Sequence, residues 1–235
     1  QSPSYPALPF LSRKIQPNQG GSPFNVPVTW YGRPLGSEFS SPFSPKDIEQ
    51  FNLSQKINTN LNETTELEAS LTVSSHSNNH YRPDIIDSRF LEALNGTTLG
   101  QPNGNLVYWN IFDSSQNSQE LIDYVRGAEV SSKDASLNNL GLIFRSENDG
   151  YEIAYGFQYN NEKLKITYDD ISTAEFDGDG KIIKSADLFF LGGGINVSKN
   201  RNNYAAFFEI QPKPIENLDP CWNGYQHGRQ HGDES

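Results

Sequence analysis

The chain has 235 residues, 34% of them hydrophobic and 12% aromatic, and its 29 acids outnumber 18 Lys plus Arg for a net charge of −11. That length holds one large β domain or two small ones, and the aromatic content excludes a disordered chain. Scattered cations on an acidic background exclude a nucleic-acid footprint and a basic membrane patch; no apolar run approaches the ~20 residues that span a bilayer, so neither nucleic acid nor membrane insertion is expected.

The chain starts at Gln1 and contains no Met, which points to a removed leader and an extracellular or cell-surface location. Cys221 is the single cysteine, so no intrachain disulfide is available and the core must hold the fold alone. Sequons stand at Asn52, Asn62, Asn95 and Asn196, a number that chance placement of abundant Asn, Ser and Thr also yields.

Nine of the 14 prolines fall in the first 45 residues, among Tyr5, Phe10, Phe24, Trp30, Tyr31, Phe39 and Phe43. Residues 1–43 therefore read as an extended Pro/Gly/aromatic arm, with Asn25 to Trp30 as an edge strand. Ser44-Pro45-Lys46-Asp47 is a helix-start signal and predicts a short helix to about Leu53, with Ile48 and Phe51 inward. Glu66 to Ser74 alternates weakly as a strand; Asp87 to Leu94, closed by Asn95-Gly96, is a second helix. Asn105 to Phe112 is a strand with Val107, Trp109 and Ile111 on one face. Ser118 to Arg126, ended by Gly127, is a third helix with Leu121, Ile122 and Val125 at core spacing.

From Leu140 to Ile210 the pattern is a meander. Leu140, Leu142 and Phe144 share a face, and Glu147 to Gly150 turns into a strand with Tyr151, Ile153, Tyr155, Phe157 and Tyr159 on one side. Further turns are expected at Asn160-Asn161-Glu162, Asp169-Asp170, Asp177 to Gly180 and Lys199 to Asn203. Between them lie strands with Leu164, Ile166 and Tyr168, then Ser172 to Phe176, Lys181 to Leu191, Ile195 to Ser198 and Tyr204 to Ile210. Residues 44–212 thus form a single all-β domain, an antiparallel β-sandwich of jelly-roll type with two or three short inserted helices. A closed β-barrel is the alternative, and 213–235 is a polar tail.

The run Gly141-Leu-Ile-Phe-Arg-Ser-Glu-Asn-Asp-Gly-Tyr-Glu-Ile-Ala-Tyr155 resembles the central hairpin of concanavalin-like and laminin-G-like jelly-roll domains over some 30 residues. The resemblance implies a curved sheet whose concave face holds sugars in many members, on a fold that also hosts lyases and hydrolases.

Several groupings carry candidate chemistry. Glu175, Asp177, Asp179 and Gly180 match the first half of a calcium loop, but the closing acid's position is Ala186; an Asp-Gly hairpin turn explains the same residues, so calcium is one of two readings. His76/His80 and His227/His231 have zinc-like spacing, yet both segments read as loop or tail. Glu66 and Glu68 share a strand face without a further acid at Ser70, and no nucleophile elbow or phosphate loop occurs. Tyr151, Tyr155, Tyr159, Arg145 and Gln158 are lyase candidates by type. Aromatic stacking is the plentiful binding chemistry, so Trp109, Tyr151, Tyr155, Tyr159 and Arg145 are the candidate ligand contacts. The expectation is an exported carbohydrate-recognition or surface-adhesion module whose partner is a glycan or cell-surface polymer. A polysaccharide lyase or glycoside hydrolase on the same scaffold is the first alternative. A structural subunit forming homo-oligomers through residues 1–43 is the second.

Overall fold

The computed structural model describes residues 12–35 and 43–213. The candidates at Cys221, Trp222, His227 and His231 lie outside them. Of the described residues 57% are strand and 10% helical, and the sheets are antiparallel. The predicted all-β class with short inserted helices therefore holds, and a β-sandwich is consistent with these sheets. β1 (Ser12–Ile15) pairs with β2 (Val28–Tyr31), placing Arg13 opposite Trp30. Five long strands follow: β3 (Lys46–Asn60), β4 (Thr65–Ile85), β5 (Arg126–Glu147), β6 (Tyr151–Tyr168) and, after the small hairpin β7 (Glu175–Phe176) and β8 (Ile182–Lys184), β9 (Val197–Pro212). They bond in the order β3-β4-β5-β6-β9. β3 and β9 are open edges, so no closed barrel exists among the described residues.

The strands are far longer than the meander predicted from sequence. No turn interrupts β6 at Asn160 to Glu162 or β9 at Lys199 to Asn203. Polar runs signal turns because they normally answer to water, but here they answer to each other across strands. The Asn161 amide donates to Asn200 Oδ1 at 2.8 Å and Asn202 Oδ1 at 2.7 Å. Asn139 donates to Asn160 Oδ1, and Ser54 meets Thr72 at 3.0 Å. For the same reason β4 runs straight through His76 to His80, where a loop was expected.

The helix predicted from Ser44 to Leu53 is strand β3 instead. Phe51, Leu53 and Ile57 recur at even spacing, and the would-be cap is used elsewhere: Ser44 Oγ donates to the Tyr81 carbonyl at 3.2 Å, while Tyr81 N donates to the Pro45 carbonyl at 3.1 Å. The other two helices form as expected. In α1 (Asp87–Asn95) Phe90, Ala93 and Leu94 are buried, and Gly96 ends it at φ 103°. Its N-terminus is closed by a residue remote in sequence, Asp187, whose carboxylate accepts from Ser88 N at 2.8 Å and Ser88 Oγ at 2.6 Å. In α2 (Gln119–Val125) the Ser118 hydroxyl caps Leu121 N at 3.2 Å. Gly127 does not stop this helix but already belongs to β5. Asn105 to Phe112 is not a strand; it forms a β-bridge at Thr97–Val107, and Trp109 N and Ile111 N donate to the Ala93 and Gly20 carbonyls, each at 2.8 Å. Its expected inward face is nonetheless right, with Trp109 fully buried and Ile111 6% exposed.

The chain forms two compact units from interleaved segments. The first takes the described residues of Gln1–Ser54, Thr72–Asn139 and Asn160–Asn203. Its core joins Ile15 and Leu35 of the expected arm to Ile85, Phe90, Trp109, Leu121 and Val125. Phe90 meets Trp109 edge-on at 5.5 Å and Phe189 at 5.3 Å. Arg13 spans the Phe189 ring at 4.8 Å and pairs with Asp87. The arm between residues 12 and 35 thus spends apolar groups inside its own unit. The second unit takes the described residues of Gln55–Leu71, Leu140–Tyr159 and Tyr204–Ser235, all strand and connecting turn.

Candidate functional site

In the first unit, strand alternation sets one row of polar side chains across five strands. A trough of about 590 Å³ is lined by Glu49 and Phe51 of β3, Ser75 and Ser77 of β4, Asp134 and Ser136 of β5, Lys163 and Lys165 of β6, and Ser198 and Asn200 of β9. Cross-strand bonds fix the row. Ser77 Oγ donates to Asp134 Oδ1 at 2.7 Å, and Asn161, two residues before Lys163, donates to Asn200. The Phe51 ring is 53% exposed beside these groups. The trough therefore offers hydroxyls, amides, carboxylates, ammonium groups and an apolar ring. A second groove of about 570 Å³ in this unit is lined by Asp47, Asn79, Tyr81, Val130, Ser132 and Thr167, among others.

Nearby titratable groups are held by structure. The buried Glu129 carboxylate accepts from Arg82 at 2.8 Å. Burial, then Lys46 and Arg82, lowers the His80 imidazole below its usual range, and Ser44 Oγ lies 3.0 Å from its Nε2. Burial, then Glu129, raises the Tyr168 phenol.

In the second unit the two sheet faces differ in kind. Phe144 stacks on Tyr155 with centroids 5.0 Å apart and planes 9° from parallel. Tyr204 packs on Tyr159 at 5.0 Å and Phe157 at 6.4 Å. The opposite face carries Glu68, whose carboxylate meets Lys56 at 2.8 Å and Arg145 at 3.0 Å and is held below the usual range by both.

These positions sort the residues expected from sequence. Tyr151 and Tyr155 are exposed, at 42% and 44%, and share a face with Tyr159. Arg145 is not with them: it follows Phe144 by one residue, points to the other face and is tied to Glu68. Trp109 is fully buried in the first unit's core, with no ring face exposed; its indole nitrogen has no hydrogen-bond partner among the described residues. Glu66 and Glu68 do not form an acid/base pair, because Glu68 is neutralised by two cations.

Glu175, Asp177 and Asp179 do not fit a calcium ion. Asp177 Oδ1 caps its own turn, accepting from Asp179 N at 3.0 Å and Lys181 N at 2.8 Å, and Glu175 pairs with Lys184 at 3.4 Å. Among the described residues no group of three or more His, Cys, Asp or Glu is placed to hold a metal. Nor, among them, is any helix long and apolar enough to cross a membrane.

The trough was missed from sequence because its members come from five separated strands. The available signal was shared parity: Ser75/Ser77, Asp134/Ser136, Lys163/Lys165 and Ser198/Asn200 are each spaced by two. No protein-family model matches the chain, and no curated protein matches it in sequence.

Proposed function

We propose that the protein is a carbohydrate-recognition module of an exported or surface-adhesion kind, whose ligand lies across the strands in the trough of the first unit. The observation that carries this reading is the composition of that trough. Sugar hydroxyls need paired donors and acceptors at fixed spacing, and Ser75, Ser77, Ser136, Asn200, Glu49 and Asp134 offer both on a rigid sheet. The half-exposed Phe51 supplies an apolar platform for a pyranose face. Lys163 and Lys165 favour a saccharide bearing carboxylate or sulfate groups, which also suits an otherwise acidic chain. The hairpin from Gly141 to Tyr155, with its concanavalin-like pattern, supports the same class.

The test is a glycan array of neutral, uronate-containing and sulfated oligosaccharides, followed by calorimetry on wild type and on the Lys163→Ala/Lys165→Ala double variant. Binding of anionic glycans that weakens at least tenfold in the double variant is expected, equivalent to about 1.4 kcal/mol. An array without hits, or a variant that binds as well as wild type, overturns the reading. Monitoring the same glycans by absorbance and reducing ends separates a binder from a lyase or hydrolase.

A further inference from the structure

The second unit displays an apolar sheet face that nothing among its own described residues covers. Tyr204 is 69% exposed, Phe208 65%, Ile57 64% and Ile210 55%. Leu71, Leu140, Tyr151, Tyr155 and Phe157 on the same face are between 38% and 44% exposed. Taking about 150–250 Å² per large side chain, these nine expose on the order of 900 Å² of apolar surface. That exceeds the roughly 300–600 Å² of the largest patch on an ordinary monomer and matches the roughly 800 Å² that each partner contributes to a standard interface.

The face is also uncharged. The alternating positions facing this side are Gln55, Ile57 and Thr59 on β3, then Thr65, Leu67, Ala69 and Leu71 on β4. On β5 they are Leu140, Leu142, Phe144 and Ser146. The odd positions from Tyr151 to Tyr159 on β6 and the even ones from Tyr204 to Pro212 on β9 complete the set. Lys56, Glu68, Arg145, Glu152 and Glu209 all take the other parity.

We propose that this face is covered by the same face of a second copy, two sheets packing about a two-fold axis into a sandwich. An isologous contact needs only self-complementarity. In a chain of net charge −11, an uncharged face is where two copies meet without like-charge repulsion. A charged partner would find no group to pair with there. The 22 residues after Lys213 offer only Ile215, Leu218, Cys221, Trp222 and Tyr225 as large apolar cover, too few for nine side chains.

The proposal is independent of the glycan reading and is tested by sedimentation of the full 235-residue chain, with Tyr204→Glu and Phe208→Glu variants and Glu152→Lys as the opposite-face control. Wild type and the control are expected to be dimers at about 10 µM, with each Glu variant dissociating at least about 100-fold more readily. In case a variant fails to fold, the wild-type melting temperature provides a second readout and should rise with protein concentration. A wild type that is monomeric at about 100 µM overturns the proposal, as does a dimer unaffected by both Glu variants. So does a monomer that binds a hydrophobic dye only after truncation beyond Lys213, or one that co-sediments with phosphatidylcholine vesicles.

Discussion

Asp84 is a buried carboxylate of the first unit that holds several backbone groups. It is 3% exposed, and its carboxylate accepts from the backbone N–H groups of Ile85 at 2.6 Å, Phe190 at 3.1 Å and Leu191 at 2.6 Å. It therefore ties the segment before β9 to the end of β4. Asp84→Ala removes the acceptor and leaves three backbone donors in a place with little water. Each stranded buried donor costs about 1–3 kcal/mol. Phe190 is half-buried, so water recovers part of that, and about 3–5 kcal/mol is expected. Against a total stability of about 5–15 kcal/mol this leaves a marginal protein. Asp84→Asn keeps one acceptor oxygen but turns an NH₂ toward N–H donors, and about 1–3 kcal/mol is expected. Urea denaturation followed by tryptophan fluorescence measures both, and hydrogen exchange at Phe190 and Leu191 should show the largest local loss of protection. If Asp84→Ala lies within about 0.5 kcal/mol of wild type, the carboxylate is not what holds this segment.

The remaining predictions concern the same unit. Trp109→Ala empties a fully buried site against Phe90 and should cost about 3–5 kcal/mol in denaturant titrations. Gly193→Ala should prevent normal folding or lower the melting temperature sharply, because φ is +61° and a Cβ would lie 2.1 Å from the Ser172 carbonyl oxygen; an unchanged melt would show that the turn is not held as described. Ser118→Ala removes the α2 cap and should cost about 1 kcal/mol, measured by thermal melting.

Glu92 gives a pH signature. Hydroxyls of Thr97 at 2.6 Å and Tyr124 at 2.8 Å donate to its carboxylate and hold it below its ordinary value of 4.5. A depressed carboxylate stabilises the fold above its unfolded pKa, and that contribution is lost as pH falls through the folded value. The melting-temperature gap between wild type and Glu92→Gln should therefore be full near neutral pH and close as pH falls below the ordinary value of 4.5; a gap that widens in acid would reverse the assignment.

The residues show where sequence pattern sufficed. Short-range rules set the helices: Ser118 at a cap, Phe90, Ala93 and Leu94 on one stripe, Gly96 at a positive φ. Alternation from Tyr151 to Tyr159 likewise placed those rings on one face, since period two is a property of the strand itself. The Ser44 signal failed because a cap oxygen helps a helix only when no neighbouring strand claims it, and Tyr81 does. Asn160-Asn161 and Lys199 to Asn203 failed as turns for a related reason: whether an amide bonds its own backbone, water or another strand depends on what lies across from it.

By itself the sequence determined the all-β class, two of the three expected helices, the shared face of the residues from Tyr151 to Tyr159 and the lack of any recognisable catalytic motif. These follow from local sterics and side-chain alternation. Only the tertiary structure decided which strands are neighbours, and with that which side chains share a surface. It moved Trp109 into a core, turned Arg145 away from the tyrosines, used Asp177 to close a turn, and aligned serines, lysines and asparagines from separated strands into one trough. It also left the aromatic face open. Alternation says which residues share a side, whereas burial depends on what is packed against that side, and that partner is a matter of assembly in space.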